Sequence, residues 1–124
     1  MRKLIFNAAN LYPTGVKASF MLPTMLKYPI AVKNSGKSEE ARRHAELQTL
    51  LVNDPFVKPA ELSALKMKTL VIVGTKDLIK PSHTKIIVSN IPNAKLVKVE
   101  GGHGIAAENP DVFNKEVGRF LKEA

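Results

Sequence analysis

The 124-residue chain has no cysteine, which excludes disulfides and thiolate chemistry and removes redox state as a clue to compartment. It has no run of about 18 apolar residues, so no membrane-spanning helix is expected. The opening Met1-Arg2-Lys3-Leu4-Ile5-Phe6 carries two basic residues and only a few apolar ones before Asn7 and Asn10. That is too little for the apolar region of a secretory signal, so a cytoplasmic protein is the default expectation. Zinc-ligand spacing, a Gly-rich phosphate loop and an interleaving of basic with aromatic residues are also missing.

What is present suits an ordinary globular protein, one domain or part of one: 44% hydrophobic and 24% charged. The net charge of +8 raises nucleic acid and anionic membrane surfaces as partners. The cations, however, are mostly lysines scattered from Lys3 to Lys122, and Arg42-Arg43 share their stretch with Glu39, Glu40 and Glu46. A dispersed Lys-rich surface reads as solubility, so neither nucleic acid nor membrane is expected as a partner.

Along the chain, residues 4–9 form a short, continuously apolar run ending in small residues, the pattern of a strand buried on both faces of a parallel sheet. From Leu11 to about Pro59 the pattern is interrupted by Pro13, Gly15, Pro23, Pro29 and Gly36. Met21, Leu22, Met25 and Leu26 make one apolar patch at helical spacing, read as packing, with a pocket-lining role for Met21 and Met25 as the alternative. Ser38 is placed to cap a helix running from Glu39 to Val52 with Ala41, Ala45, Leu47, Leu50 and Leu51 inward. Asn53-Asp54-Pro55 stops it. His44 falls in this helix among charged residues, as an exposed position.

The second half is cleaner. A helical turn over residues 59–65 leads into Thr69-Leu70-Val71-Ile72-Val73-Gly74, a second fully apolar strand. Pro81 to Asn90 predicts a short helix that buries Ile86 and Ile87 and opens with His83, read as structural. Ala94 to Val99 alternates as an outer strand with one wet side. Asn109 is expected to cap a last helix, with Pro110 in its first turn and Phe113, Val117, Phe120 and Leu121 on one face. Strand, helix, strand, helix is the pattern of a parallel α/β sheet. About three strands make a poor stand-alone sheet, and an edge as apolar as residues 4–8 invites another strand.

In such a sheet the ligand-facing side is the carboxyl edge of the strands. Two segments leave strands there. One is Gly74-Thr75-Lys76-Asp77, with a single carboxylate before the Pro81 helix. The other is Gly101-Gly102-His103-Gly104, a histidine among glycines that leave its ring uncovered. If the strands are neighbours, Asp77 and His103 stand side by side. A carboxylate on one imidazole nitrogen then fixes the tautomer and leaves the other nitrogen as a general base.

With these residues in view, Thr69 to Leu121 resembles the C-terminal segment of α/β-hydrolases. The strand-G-x-x-D-x-x-x-P turn of their triad acid is matched by Gly74, Asp77 and Pro81. The turn of their triad histidine is matched by Gly102-His103, and the closing helix by Ile105 to Leu121. The acid precedes the histidine, as in that family. Residues 3–10 look like the strand after the nucleophile-bearing helix, and Pro13 to Pro59 stands where such proteins insert a lid. The resemblance implies a single incomplete α/β-hydrolase domain: first strand in 1–12, lid-like helical segment in 13–60, strand–helix–strand–helix part in 61–124. It also implies ester or amide-type hydrolysis by a serine, with no metal or organic cofactor, and with Asp77 and His103 as triad acid and general base.

The family's nucleophile, the serine of a G-x-S-x-G elbow, has no match. Ser19, Ser35, Ser38, Ser63, Ser82 and Ser89 all lie in other contexts; Asn34-Ser35-Gly36 is the nearest. Asp54, Asp77 and Asp111 do not sit in an elbow either, and the N-terminal oxyanion loop is missing. Without oxyanion donors a further ~2.7–4 kcal/mol of transition-state stabilisation is lost. The expectation is therefore a portion of a serine hydrolase, inactive alone, needing a complementary hydrolase fragment before it can take a small-molecule substrate. The alternative is a non-catalytic module that dimerises through its first strand.

Overall fold

The protein is described here by a computed structural model covering residues 2–124. The elements run β1 (Lys3–Asn7), a 3-10 turn (Pro13–Gly15), α1 (Ala18–Asn34), α2 (Glu39–Asn53), a second 3-10 turn (Pro59–Ala64), β2 (Lys68–Gly74), α3 (Pro81–Asn90), β3 (Ala94–Val99), α4 (Ile105–Glu108) and α5 (Pro110–Lys122). They make two compact units, one of residues 2–9 with Lys58–Ala124 and one of Asn10–Val57.

The first unit is built on a parallel sheet ordered β1-β2-β3, the fold class the sequence predicts. β2 is rich in β-branched residues that suit a pleated, buried surface. It is buried from Thr69 to Gly74, so both of its faces are covered. Leu70 and Ile72 point to one face, where they join Val99, Ile105 and Phe120 in a core flanked by Ile5, Val97, Phe113 and Val117. Burying each such aliphatic or aromatic side chain contributes about 1.5–3 kcal/mol. In β3 Lys95, Leu96 and Lys98 are exposed and Val99 is buried, so the exposed positions do not keep to one face as the alternation suggests. β1 differs from expectation. It is half-buried along Lys3–Phe6 rather than covered on both faces, because β2 is its one strand neighbour among the described residues.

α5 is tied back to the sheet at its C-terminal end. Lys3 Nζ donates to the carbonyls of Phe120 (2.8 Å), Leu121 (3.0 Å) and Glu123, and lies 5.3 Å from the centre of the Phe120 ring. A cation there meets the negative end of the helix dipole. Asn109 begins α5, but its side chain does not cap it; Nδ2 donates to the Glu100 carbonyl at 3.2 Å instead. Of the expected inner face of α5, Leu121 is exposed.

The second unit is a pair of packed helices. α1 runs through Pro23 and Pro29 without ending, contrary to the reading of both as interruptions. Each proline withholds a hydrogen bond from the carbonyl four residues back, here those of Ser19 and Met25. Both of those residues are exposed, so water can serve the freed oxygens. Ser38 Oγ accepts from Ala41 N at 3.0 Å, the cap the sequence predicts for α2. Thr49 Oγ1 donates to the Ala45 carbonyl at 2.8 Å and accepts from Tyr28 Oη at 3.0 Å, linking the helices. Their shared interior is made by small side chains, Ala31 and Ala45, with Met21. The leucines expected inside, Leu47, Leu50 and Leu51, are exposed, as are Leu22, Met25, Leu26 and Ile30. The spacing alone does not say which apolar stripe of α2 meets its neighbour, and the alanines win because they let the helices approach. Among the described residues no helix is long and apolar enough to cross a membrane.

Candidate functional site

β2 and β3 are parallel neighbours with Gly74 opposite Val99, so both following turns emerge at one edge of the sheet. The β2 turn wraps around its own carboxylate. Asp77 Oδ2 accepts from Gly74 N and Oδ1 from Ile79 N, each at 3.1 Å. An aspartate bonding backbone N–H groups of its own turn stabilises that turn and fixes the side chain. The Asp77 side chain is 3% exposed, and these donors compensate an ionised oxygen pair held out of water.

The β3 turn brings the ring. His103 Nδ1 lies 2.8 Å from Asp77 Oδ1, with the imidazole half-exposed at 49%. An ionised carboxylate only accepts, so Nδ1 carries the proton and donates. The other nitrogen, Nε2, is left with its lone pair. The structure therefore brings together the two residues singled out in the sequence.

Backbone contacts lock the two turns together. Thr75 N donates to the Val99 carbonyl (2.9 Å) and Lys76 N to the Gly101 carbonyl (2.8 Å). Thr75 Oγ1 donates to Glu100 Oε2 at 3.1 Å and accepts from Gly101 N at 3.3 Å. The approach is so close that a Cβ on Gly74 would overlap the Gly101 and Gly102 carbonyl oxygens. Gly101 has φ +141°, a conformation open to glycine and costly for other residues. Glu108, at the end of α4, reaches back so that its Oε2 accepts from Gly102 N at 3.0 Å. Ile105, fully buried, anchors the segment from below.

Sequence reasoning gave neither Thr75 nor Glu108 a role in the site. The available signal was the excess of glycines around His103, which accommodates a neighbouring backbone and a carboxylate as well as a sharp turn. The other histidines lie apart in kind. His83 is buried in α3, and its pKa is pushed below the ordinary histidine value by burial and secondarily by the charge of Lys80. His44 is exposed on α2. Met21 is in the helix-pair interior and Met25 is half-exposed. Several serine hydroxyls are spent locally: Ser35 on the Val32 carbonyl, Ser63 on that of Ala60 and Ser89 on that of Ile86. No cluster of three His, Asp or Glu able to hold a metal occurs among the described residues.

A parallel sheet with polar turns at its carboxyl edge defines the class of this protein as α/β. The fold is, more particularly, the C-terminal part of the α/β-hydrolase fold. A hydrolase from Pseudomonas aeruginosa PA01 superposes with a TM-score of 0.65 at 18% identity, over 98% of this chain and 56% of that one. The enol-lactonase from Burkholderia xenovorans LB400 gives 0.65 at 19% identity, over 99% and 57%. An alpha/beta fold family hydrolase from Bacillus anthracis str. Sterne gives 0.63 at 17%, over 95% and 58%. The chain thus spans a little over half the length of these structures, and at such identity the likeness speaks of fold alone. In sequence, 70 residues (55% of the chain) are 40% identical to the polyketide synthase ThaQ of Burkholderia thailandensis, of which they cover 3%. No family model matches the chain.

Proposed function

We propose that Asp77 and His103 are the acid and general base of a serine-type α/β-hydrolase site whose nucleophile and oxyanion donors come from residues outside this chain. The observation that carries this reading is the 2.8 Å contact between a half-exposed imidazole and a buried carboxylate already held by two backbone N–H groups. In that arrangement Asp77 orients the ring and stabilises its charged form. Nε2 takes the proton of an attacking hydroxyl and later returns it to the leaving group. The outer edge of β1, unpaired among the described residues, is where a further strand of the sheet would add, from a complementary hydrolase segment. The substrate class is an ester or amide-type bond, and the local likeness to a polyketide synthase makes a polyketide-type acyl ester the first to try.

The test pairs a fluorophosphonate probe, read by intact mass, with p-nitrophenyl acetate as a small activated ester. The chain alone is expected to give no adduct and only slow imidazole-driven ester turnover, which falls in His103→Ala to the background of exposed His44. Turnover indifferent to His103→Ala overturns the base assignment. A single adduct on the isolated chain overturns the claim that the nucleophile lies elsewhere.

The open β1 edge also favours a second reading, a non-catalytic module in which that edge pairs with a second copy. A dimer on a sizing column, with the β1 amides that face away from β2 protected from exchange only when dimeric, supports it. A monomer at high concentration rejects it.

A further inference from the structure

We infer that Glu108 is the positioning residue of the histidine turn: its carboxylate, seated among Gly101, Gly102 and Gly104, holds His103 against Asp77. The inference rests on the reading of Asp77 and His103 as a working pair. It adds a residue outside the three groups that define such sites.

The geometry is specific. Glu108 Oε2 accepts from Gly102 N, the amide immediately before His103, at 3.0 Å. A Cβ on Gly102 would lie 3.2 Å from Glu108 Oε1 and 3.4 Å from Oε2; one on Gly101 would lie 3.5 Å from Oε2, and one on Gly104 3.9 Å from it. The carboxylate therefore crowds a side chain at Gly102 and lies in ordinary contact distance of the Gly101 and Gly104 positions, on both sides of the histidine in sequence. His103, the fourth, is the one residue whose side chain leaves the turn for the acid. Gly102 N is an exposed amide without a strand or helix partner, so water is the competitor for it, and a charged acceptor outbids a neutral one. Glu108 is itself fixed from the chain behind it. Its own N donates to the Gly104 carbonyl at 3.0 Å, closing a ring of residues 102–108 in which backbone and side chain both return to the turn. Gly102 is thus favoured by the carboxylate, and Gly101 by its own backbone conformation.

The readout is the neutral imidazole tautomer of His103 in the isotopically labelled 124-residue chain, from ring 15N shifts above the titration of the ring. Gly102 amide exchange is the second readout, and the β2 amide shifts report that the sheet is intact. In the unaltered chain the Nδ1–H tautomer is expected to dominate, and Asp77→Asn should lose it. Glu108→Ala should shift His103 toward the Nε2–H form usual in free histidine and speed Gly102 exchange by about ten- to a hundredfold, the loss of one charged-acceptor hydrogen bond. Glu108→Gln, which keeps an acceptor oxygen, should restore most of both. Glu108→Ala with the tautomer and the exchange unchanged overturns the role of Glu108 while leaving the pair standing. An unaltered chain without the Nδ1–H form overturns the pair itself, and the positioning role with it.

Discussion

Gly74 and Gly102 face each other across the two turns so closely that one methyl group on Gly74 would overlap the carbonyl oxygen of Gly102. The acid turn and the histidine turn are in backbone contact, so main chain limits how Asp77 and His103 can approach each other. Gly74→Ala is therefore expected to push the turns apart. Overpacking of this kind costs about 1–3 kcal/mol, read as a lowered urea midpoint. It should also lengthen the contact between Asp77 and His103, seen as a change in the ring 15N shifts.

Removing the base should slow the hydrolysis of p-nitrophenyl acetate. His103→Ala is expected to lower the rate to the background that exposed His44 and the surface lysines sustain, and Asp77→Asn to lower the His103-dependent part roughly tenfold or more, since general-base assistance depends on the tautomer the carboxylate enforces. Initial rates at equal protein concentration, with thermal unfolding curves for each variant, separate loss of chemistry from loss of fold.

The sequence carried the strands of this site well and the helices upstream poorly, for physical reasons. β2 and β3 are short apolar or alternating runs bounded by Gly74, Pro81 and Glu100-Gly101, so period and punctuation agree. The direction in which Asp77 and His103 leave the sheet follows from parallel pairing. α1 was obscured because Pro23 and Pro29 read as stops, whereas an exposed helix face tolerates the carbonyls they orphan. α2 shows leucines and alanines on different stripes, and its packing partner decides between them. Glu108 falls in the stretch that resembles the family's closing helix, but its role is not legible there, because it is defined by a backbone N–H six residues earlier.

His83 makes stability depend on pH in a definite direction. Burial, and then Lys80, lowers its folded-state pKa beneath the ordinary value near 6.5. The unfolded chain therefore binds a proton that the folded chain refuses, and stability falls as pH drops below about 6.5 until the folded-state pKa is passed. Urea unfolding across pH 7.5 to 5 should show this decline, and His83→Gln should flatten it. An equal slope in the variant would assign the decline to other groups.

The core and its attachment of α5 can be probed separately. Phe120→Ala should cost about 3–5 kcal/mol, because a fully buried aromatic is lost along with the surface under Lys3. Lys3→Ala should cost about 1 kcal/mol by removing a cation from a helix C-terminus. Denaturant unfolding measures both. The double variant should fall short of the sum, since the two residues touch.

Every group that fixes the ring against the carboxylate, from Gly74 through Thr75, Gly101 and Gly102 to Glu108, belongs to one uninterrupted stretch of chain. The acid and the histidine are separated by 26 positions, and closing a loop of that length is cheap compared with pairing distant strands. The pair is thus expected to assemble early in folding, ahead of the docking of β1. It also forms one contiguous segment, which a recombination event could move intact from one sheet to another.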